Sequence, residues 1–178
     1  AQPYYNQEEL ANYGLHRYEY AFKVARIEPE NRIDIILEAF SRLPSYKLVL
    51  VGNWNKSDYG RSVRKHYSSY CNMILLDPIY DPKKINLLRS NCSFYIHGHS
   101  AGGTNPSLVE AMYLGLPIIA SNVSYNRATT EGKALYFDNA NDLSQIVSNL
   151  TDERKNEIAH NMKEIANSRY LWNIIVSK

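Results

Sequence analysis

Hydrophobic and polar positions alternate along this chain in a pattern that predicts strands and helices in succession. Short, continuous apolar runs predict buried strands, because a strand covered on both faces has no polar side. These runs lie at residues 20–27, 47–52, 72–76, 94–97, 117–121 and 134–137. Between the strands, apolar residues recur at helical spacing. Parallel strands need such helical crossovers, so we predict an α/β fold, a doubly wound parallel sheet of the Rossmann-like type with helices on both faces.

Local signals mark where two of the predicted helices begin. Asp81 followed by Pro82, and Asn105 followed by Pro106, predict an N-cap residue and a first helical position. The second of these helices is predicted to end before Gly115, because glycine permits the left-handed residue that closes a helix.

The loop of residues 98–105 carries little side-chain bulk and leads directly into the helix that begins at Pro106. Backbone N–H groups at a helix start, together with the positive end of the helix dipole, form a site for an anion. In open α/β sheets, ligands bind at the carboxyl ends of the strands. The loop therefore predicts a phosphate site, and the segments expected beside it are residues 26–31, 52–53 and 77–80.

Glu110 lies a little over one turn into the same helix. Helical side chains lean toward the N-terminus, so this carboxylate can reach back toward the loop. A carboxylate does not bind phosphate, but it accepts hydrogen bonds from vicinal hydroxyls, such as those of a ribose attached to the phosphate. The helix alone leaves two interpretations open, a ribose ligand and an ordinary surface glutamate.

Composition narrows the function classes. The 178 residues fit one domain with a substantial core. With 20 Lys and Arg against 18 Asp and Glu, the net charge of +2 argues against a nucleic-acid partner bound through bulk charge, and the 15 tyrosines are scattered. No apolar run approaches the ~20 residues of a membrane helix. We expect a cytoplasmic protein whose contact with a membrane is at most peripheral, at its inner face.

The cysteines and histidines suggest no cofactor. Cys71 and Cys92 lie in or beside apolar segments and predict two buried free thiols, with one disulfide as the alternative. His97 and His99 bracket Gly98, but a metal needs at least one further ligand, and no third histidine or cysteine pair has a suitable spacing. We expect no metal, with His97 packed at the strand end. The dinucleotide fingerprint G-x-G-x-x-G is also absent from the sequence, which argues against an NAD site.

Four ordered motifs resemble one known family. They are ARIEPEN at 25–31, LVLVGN at 48–53, GGTNPSLVEAMYLGLPIIAS at 102–121 and ALYFD at 134–138. Over about residues 20–175 they resemble the nucleotide-sugar-binding half of retaining glycosyltransferases of family 4. The form HGHSAGGTNPSLVEAM is more similar to a bacterial, rhamnosyltransferase-like subgroup that builds capsular and cell-wall polysaccharides. The resemblance implies the C-terminal half of a GT-B glycosyltransferase, in which two Rossmann-like domains face a cleft.

The resemblance also implies roles for individual residues. Glu110 corresponds to the second glutamate of the family's E-x7-E motif, which binds the ribose hydroxyls. Arg26 matches the arginine that pairs with the diphosphate, and we assign it the catalytic role of stabilising the leaving diphosphate. In isolation, such an arginine is more often a surface or ion-paired residue.

Further residues are expected around the nucleotide sugar. The loop residues Gly103, Thr104 and Asn105, with Gly102 beside them, would hold the distal phosphate and approach the sugar. Other positions implied are Gly52 and Asn53 at the nucleotide, Ile79 against the base and His99 in the sugar pocket.

Two positions depart from the family pattern. Gly102 stands where the first glutamate of the E-x7-E motif is expected, so the acidic role of that residue does not carry over. Asn31 stands where the family has a lysine after the first strand. A less cationic diphosphate site would place more of the binding on Arg26 and on the helix amides.

The implied function is that of a donor domain. It would bind a nucleoside-diphosphate sugar and take part in retaining transfer of a hexosyl or deoxyhexosyl group to a glycan or lipid-linked acceptor, without a required metal. The competing interpretation is a non-catalytic Rossmann-like module that binds a nucleotide or a protein.

The predicted domain organisation has three parts. Residues 1–19 would be a linker from an N-terminal domain, residues 20–168 the nucleotide-sugar-binding domain, and residues 169–178 a C-terminal helix that packs back on that N-terminal domain. We expect a piece of a longer polypeptide that is inactive alone.

Overall fold

The computed structural model describes residues 1–170, in which a parallel sheet carries helices on both faces. The strands are β1 (Tyr20–Val24), β2 (Lys47–Val51), β3 (Met73–Leu76), β4 (Phe94–His97), β5 (Ile118–Ser121) and β6 (Leu135–Phe137). The helices are α1 (Gln7–Ala11), α2 (Ile33–Ser41), α3 (Asp58–Tyr67), α4 (Pro82–Ser90), α5 (Pro106–Tyr113), α6 (Ser124–Thr129), α7 (Ala140–Ser148) and α8 (Asp152–Arg169), and a 3-10 turn covers Pro29–Asn31. The predicted α/β, doubly wound fold is confirmed.

The strand order is β3-β2-β1-β4-β5-β6, and every pair of neighbours is parallel. The chain winds outward from β1 to β3, returns to place β4 beside β1, and winds outward again on the other side. Phe22 of β1 lies opposite Tyr95 of β4 in this central pair. The winding direction reverses between β1 and β4, so the loops that follow these two strands diverge and leave a crevice at their carboxyl ends. We call this crevice the switch point.

Alternate strand residues feed two separate cores. Phe22 and Tyr95 belong to the core under α4, α5 and α8, whereas Ala21 and Ile96 belong to the core under α2 and α7. Both faces are apolar because the sheet is covered on both sides. None of the helices in residues 1–170 has both the length and the hydropathy that a membrane span requires.

Helix boundaries follow the predicted capping residues closely. Asp81 and Asn105 each accept a backbone N–H bond as N-caps, of Lys83 in the first case and Ser107 in the second, and Gly115 adopts φ +68° after α5. Strand β1, in contrast, ends at Val24 instead of Ile27. The Ala25 N–H still bonds the Val51 carbonyl, and the chain then turns at residues 26–28, where the Glu28 N–H donates to the Arg26 carbonyl.

Residues 1–19 pack on the domain. Leu10 and Leu15 are fully buried, and the side chains of Ser90 and Asn91 donate to the Tyr4 carbonyl at 3.0 and 2.7 Å. The packed unit therefore begins before residue 20, whereas the domain predicted to precede the segment stays a prediction. The predicted C-terminal helix at 169–178 lies outside the described residues from position 171 onward.

The prediction of two buried thiols was right for one cysteine. Both thiols are free, and Cys92 is buried, but Cys71 is exposed. Cys71 lies in the turn that precedes β3, and the buried run begins only at Asn72 and Met73.

A glycine fixes the close approach of two chain segments at the switch point. A Cβ on Gly98 would lie 2.1 Å from the Asn31 carbonyl oxygen and 2.9 Å from Ile36 Cδ1. Because the first of these atoms is backbone, it cannot move without the whole loop.

We expect Gly98→Ala to lower the free energy of unfolding by about 2–3 kcal/mol or more through overpacking. Gly102→Ala is the matched control, since no atom lies within 4 Å of its Cβ position and its φ of +52° costs an alanine only about 1 kcal/mol. Urea unfolding of both variants measures the difference, and equal losses would contradict the steric argument.

Candidate functional site

A cavity of about 180 Å³ opens at the switch point, between the carboxyl ends of β1 and β4 and the start of α5. Its polar lining residues are Lys23, Arg26, Asn31, His97, His99 and Asn105, together with Ser107. We call it the switch-point cavity. Three residues predicted from the sequence, Arg26, His99 and Asn105, thus come together in one place.

Hydrogen bonds lock the two loops that border this cavity. Asn31 is buried, its Nδ2 donates to the Arg26 carbonyl at 2.9 Å, and its Oδ1 lies 3.2 Å from His99 Nδ1. The backbone N–H and the hydroxyl of Ser100 both donate to the Glu30 carbonyl, at 2.8 and 2.9 Å. The buried Asn126 donates to the His99 carbonyl from the side of α6. Asn31 therefore serves as a brace between the loops, a use that leaves both polar atoms of its side chain engaged.

Residues 98–102 also match the sequence pattern G-x-S-x-G, which marks a nucleophile elbow in some hydrolases. The geometry differs from such an elbow. The Ser100 hydroxyl donates to the Glu30 carbonyl, and α5 begins only at Pro106, six residues later. Ser100 is therefore a loop-bracing residue in this structure.

Asn105 engages the first amides of α5. Its side chain accepts from the Ser107 N–H at 2.9 Å, and its carbonyl accepts from the Leu108 N–H at 3.0 Å. Within residues 1–170, no protein partner engages the N–H groups of residues 101–105. The amides open to an anion are therefore those of the loop, where Gly102 and Gly103 both adopt positive φ. That these amides hold a phosphate stays a prediction.

Lys23 lines the switch-point cavity from β1, although its side chain is 1% exposed. Within the part of the chain that the structure describes, its ammonium group has no hydrogen-bond or ion-pair partner. Burial disfavours the charged form and lowers the pKa of Lys23 to about 7. The cavity therefore has a cationic group in its wall whose charge no side chain balances.

His97 ends β4 on the other side of the cavity and is 2% exposed. In residues 1–170, neither Nδ1 nor Nε2 of its ring has a hydrogen-bond partner. Burial lowers the pKa of His97 well below its usual range, and the nearby charges of Lys23 and His99 add to that effect. The prediction that His97 packs at the strand end is confirmed.

Arg26 lies at the mouth of the cavity, with a side chain that is 63% exposed. It pairs with Glu28 at 3.3 Å and with Glu30 at 3.0 Å. Exposed ion pairs of this kind contribute little, about 0–1 kcal/mol each, so Arg26 can exchange them for a stronger anion.

Glu110 lies at a second cavity of about 330 Å³ between α4 and α5, which we call the Glu110 cavity. Arg89, whose side chain is only 6% exposed, donates through Nη1 to Glu110 Oε2. Glu110 Oε1 has no hydrogen-bond partner in residues 1–170. Pro82 and Ile85 give the cavity an apolar wall, and Gln2 of the N-terminal segment also lines it. The acid is thus held by one oxygen while the other stays open as an acceptor.

Other predicted site residues lie outside both cavities. Gly52 is buried where a Cβ would meet Ile27 and the Ala25 carbonyl, so close packing accounts for it. Ile79 is half-buried against the core under α4 and α5. Asn53 and Thr104 are exposed. Their predicted contacts with a nucleotide sugar stay predictions.

Sequence reasoning missed Lys23 and Arg89. A lysine inside the otherwise apolar run YAFKVARI was a signal for the first, because a strand buried on both faces leaves a charged side chain no route to water. Arg89 lies four residues after the apolar Ile85 in α4, so the two share one face of the helix, and this spacing was the signal for the second.

Within residues 1–170, no group of three or more His, Cys, Asp or Glu side chains is arranged so that it could hold a metal ion. His97 and His99 have ring centroids 6.1 Å apart and continue a row of aromatic rings that starts at Phe22 and Tyr95. Their arrangement follows from packing of that row.

The profile of the family described as "Glycosyl transferases group 1" matches residues 6–169 of the chain. The match includes the whole lining of the switch-point cavity and the α4 and α5 residues of the Glu110 cavity. A search of the curated proteins found no match.

Solved structures share the fold. Sucrose-phosphate synthase from Thermosynechococcus elongatus superposes with a TM-score of 0.78 at 20% identity, over 98% of this chain and 47% of that one. The Anabaena protein HepE, solved with UDP and glucose, gives 0.77 at 19% identity, over 92% and 47%. The C-terminal domain of the Francisella tularensis group 1 glycosyl transferase LpcC gives 0.74 at 15% identity, over 96% and 95%. The chain thus spans about half the length of the first two and nearly all of an isolated C-terminal domain.

The buried Lys23 predicts a pH-dependent stability. Its pKa is about 7 in the folded protein and about 10.5 when unfolded, so below pH 7 the folded state bears the full cost of the buried charge, up to about 5 kcal/mol. Between these pKa values the unfolded state binds more protons, and stability from this group rises with pH.

Lys23→Met should therefore be more stable than the wild type at pH 7, with an advantage that shrinks by about 1 kcal/mol per pH unit between pH 7.5 and 9.5. Urea unfolding of both proteins across this range measures the gap. The exposed Lys133→Met serves as the control and should show no such trend. A gap that does not change with pH would contradict the lowered pKa.

Proposed function

Because this chain belongs to the group 1 glycosyl transferases, we propose that it is the donor-binding domain of a GT-B enzyme and that it holds a nucleoside-diphosphate sugar across its two cavities. The observation that carries the proposal is the pairing of a cationic cavity at the switch point with an acid that keeps one oxygen free. A phosphate suits the cationic switch-point cavity, and the hydroxyls of a pentose suit the free carboxylate oxygen of Glu110. Phosphate and pentose are adjacent groups in every nucleoside diphosphate.

The proposed arrangement assigns one part of the donor to each surface. The loop amides of residues 101–105, with Arg26 at the mouth, receive the diphosphate. Glu110 accepts hydrogen bonds from the ribose hydroxyls through Oε1, while Arg89 keeps the carboxylate in place through Oε2. The apolar wall formed by Pro82 and Ile85 supports stacking of the rest of the nucleoside. Ile79 is proposed to extend that wall toward the base.

Catalysis in this proposal is electrostatic. Negative charge grows on the diphosphate as the bond to the sugar breaks, and donors already aimed at that position stabilise it without reorganisation. Arg26 and the loop amides are such donors, and no metal is required. We propose that the sugar is transferred with retention of configuration, and that His99, at the edge of the cavity, contacts the sugar.

The finer assignment rests on the sequence motifs. We propose a family 4 enzyme of the rhamnosyltransferase-like subgroup, acting in the cytoplasm on a glycan or lipid-linked acceptor in the synthesis of a bacterial surface polysaccharide. Acceptor residues belong, in this proposal, to an N-terminal domain, since the chain spans about half the length of two of its structural neighbours. The domain alone would then bind the donor without transferring it.

Calorimetry with UDP, GDP and dTDP tests donor binding. HepE was solved with UDP and glucose, which supports UDP as the first ligand to try. We expect saturable heat from at least one of the three at millimolar concentration. No heat from any of them would contradict the proposal and favour a module with a purely protein partner.

Glu110→Gln tests the pentose contact. The variant keeps the shape of the side chain but gives up the charge that strengthens hydrogen bonds from hydroxyls, so we expect about tenfold weaker UDP binding. The loss should be smaller for dTDP, which lacks the 2′-hydroxyl. Glu164→Gln, at an exposed position of α8, is the matched control. Unchanged UDP affinity in Glu110→Gln would leave Glu110 as a surface glutamate.

A further inference from the structure

We propose that Lys23 forms the buried floor of the switch-point cavity, and that its ammonium group receives a phosphate group of the ligand and couples its binding to uptake of a proton. The inference takes its ligand class from the proposed function. It adds a residue that neither the family resemblance nor the loop geometry assigns to binding.

Lys23 meets no compensating charge in its surroundings. The titratable and charged groups that face the switch-point cavity within residues 1–170 are Lys23 and Arg26 from the β1 side and His97 and His99 from the β4 side. The neighbouring carboxylates of Glu28 and Glu30 are paired with Arg26 at the surface.

The elements packed around Lys23 add no carboxylate. Leu50 lies opposite it in β2, and α2 turns its apolar residues Ile33 and Ile36 toward this core. At the start of α5, Asn105 and Ser107 face the cavity, and both are neutral. Every ionisable group in this wall is therefore cationic or neutral.

The unpartnered ammonium group at this cavity is a donor that a ligand can engage. Buried polar side-chain atoms are nearly always hydrogen-bonded, so a partner for Lys23 is expected. An unpaired buried lysine is costly, and a methionine would fill the same space without that cost. An ammonium group offers only donors, so the partner that satisfies it is an acceptor.

The chemistry of the wall selects a phosphate as that acceptor. A neutral hydroxyl would leave the Lys23 charge unbalanced, whereas a phosphate oxygen balances it. The cavity of about 180 Å³ has room for a phosphate but leaves the nucleoside outside, toward Glu110.

Proton uptake follows from the same arrangement. With a pKa of about 7, Lys23 is mostly neutral at pH 8 before a ligand binds. An anion next to it favours the charged form, so binding at pH 8 draws a proton from the buffer. Affinity should then fall as the pH rises from 7 to 9.

Titration calorimetry at pH 8, in two buffers of different ionisation enthalpy, measures this proton directly. The probes are inorganic pyrophosphate and UDP, and the proteins are the full chain, Lys23→Met and Lys133→Met as the control. We expect the wild type and Lys133→Met to take up about one more proton per ligand than Lys23→Met does. At pH 6.5, Lys23→Met should bind both probes about tenfold more weakly, or worse.

Thermal unfolding of Lys23→Met and Lys133→Met establishes that both variants are folded.

The outcomes distinguish this inference from the proposed function. Pyrophosphate binding that depends on Lys23, with UDP, GDP and dTDP binding no better than pyrophosphate, would support the floor and contradict a nucleotide-sugar site. Nucleotide binding with equal affinity and equal proton uptake in wild type and Lys23→Met would overturn the floor and leave the donor site standing. No binding of any probe would overturn both.

Discussion

The close contact between the end of β4 and the loop after β1 is the constraint on which the site depends. Where the winding of a parallel sheet reverses, neighbouring loops diverge, and no ladder of strand hydrogen bonds holds them together. Here the missing side chain of Gly98 lets the Asn31 carbonyl approach, and Asn31 and Ser100 then tie the two loops by hydrogen bonds. The crevice becomes a cavity because these hydrogen bonds join the loop after β1 to the loop after β4.

The cationic side chains near the site differ in burial and in how many carboxylate partners they have. Arg26 is exposed and already has two carboxylate partners, Arg89 is buried and holds one, and Lys23 is buried and has none in residues 1–170. The cost of an uncompensated charge is thus confined to the carboxyl edge of the central strands, while the two cores on either side of the sheet are apolar. The buried Lys23 lowers the stability of the folded state at neutral pH, and the phosphate proposed to bind beside it would offset that cost.

Features with a local cause could be predicted from the sequence. The caps at Asp81 and Asn105 and the end of α5 at Gly115 each depend on a few adjacent residues, and the structure places all three as expected. The parallel sheet could be predicted for a similar reason, because each helix that connects two parallel strands lies between them in the sequence.

Features set by contacts between distant segments could not be predicted in this way. The roles of Asn31, Lys23 and Arg89 depend on partners or cavities that arise only when β1, β4 and α5 come together. From the family pattern, Asn31 is only a position where an expected lysine is absent. In the structure, its side chain joins the two loops by hydrogen bonds.

The N-terminal segment has a practical consequence for any measurement on this domain. Tyr4 fastens the segment to α4, and this places Gln2 in the wall of the Glu110 cavity. A purification tag joined ahead of Ala1 would therefore emerge beside the proposed nucleoside position and not on a remote surface. Material intended for ligand soaking or spectroscopy is best prepared with such an extension removed by a protease, so that the tag does not occupy the cavity.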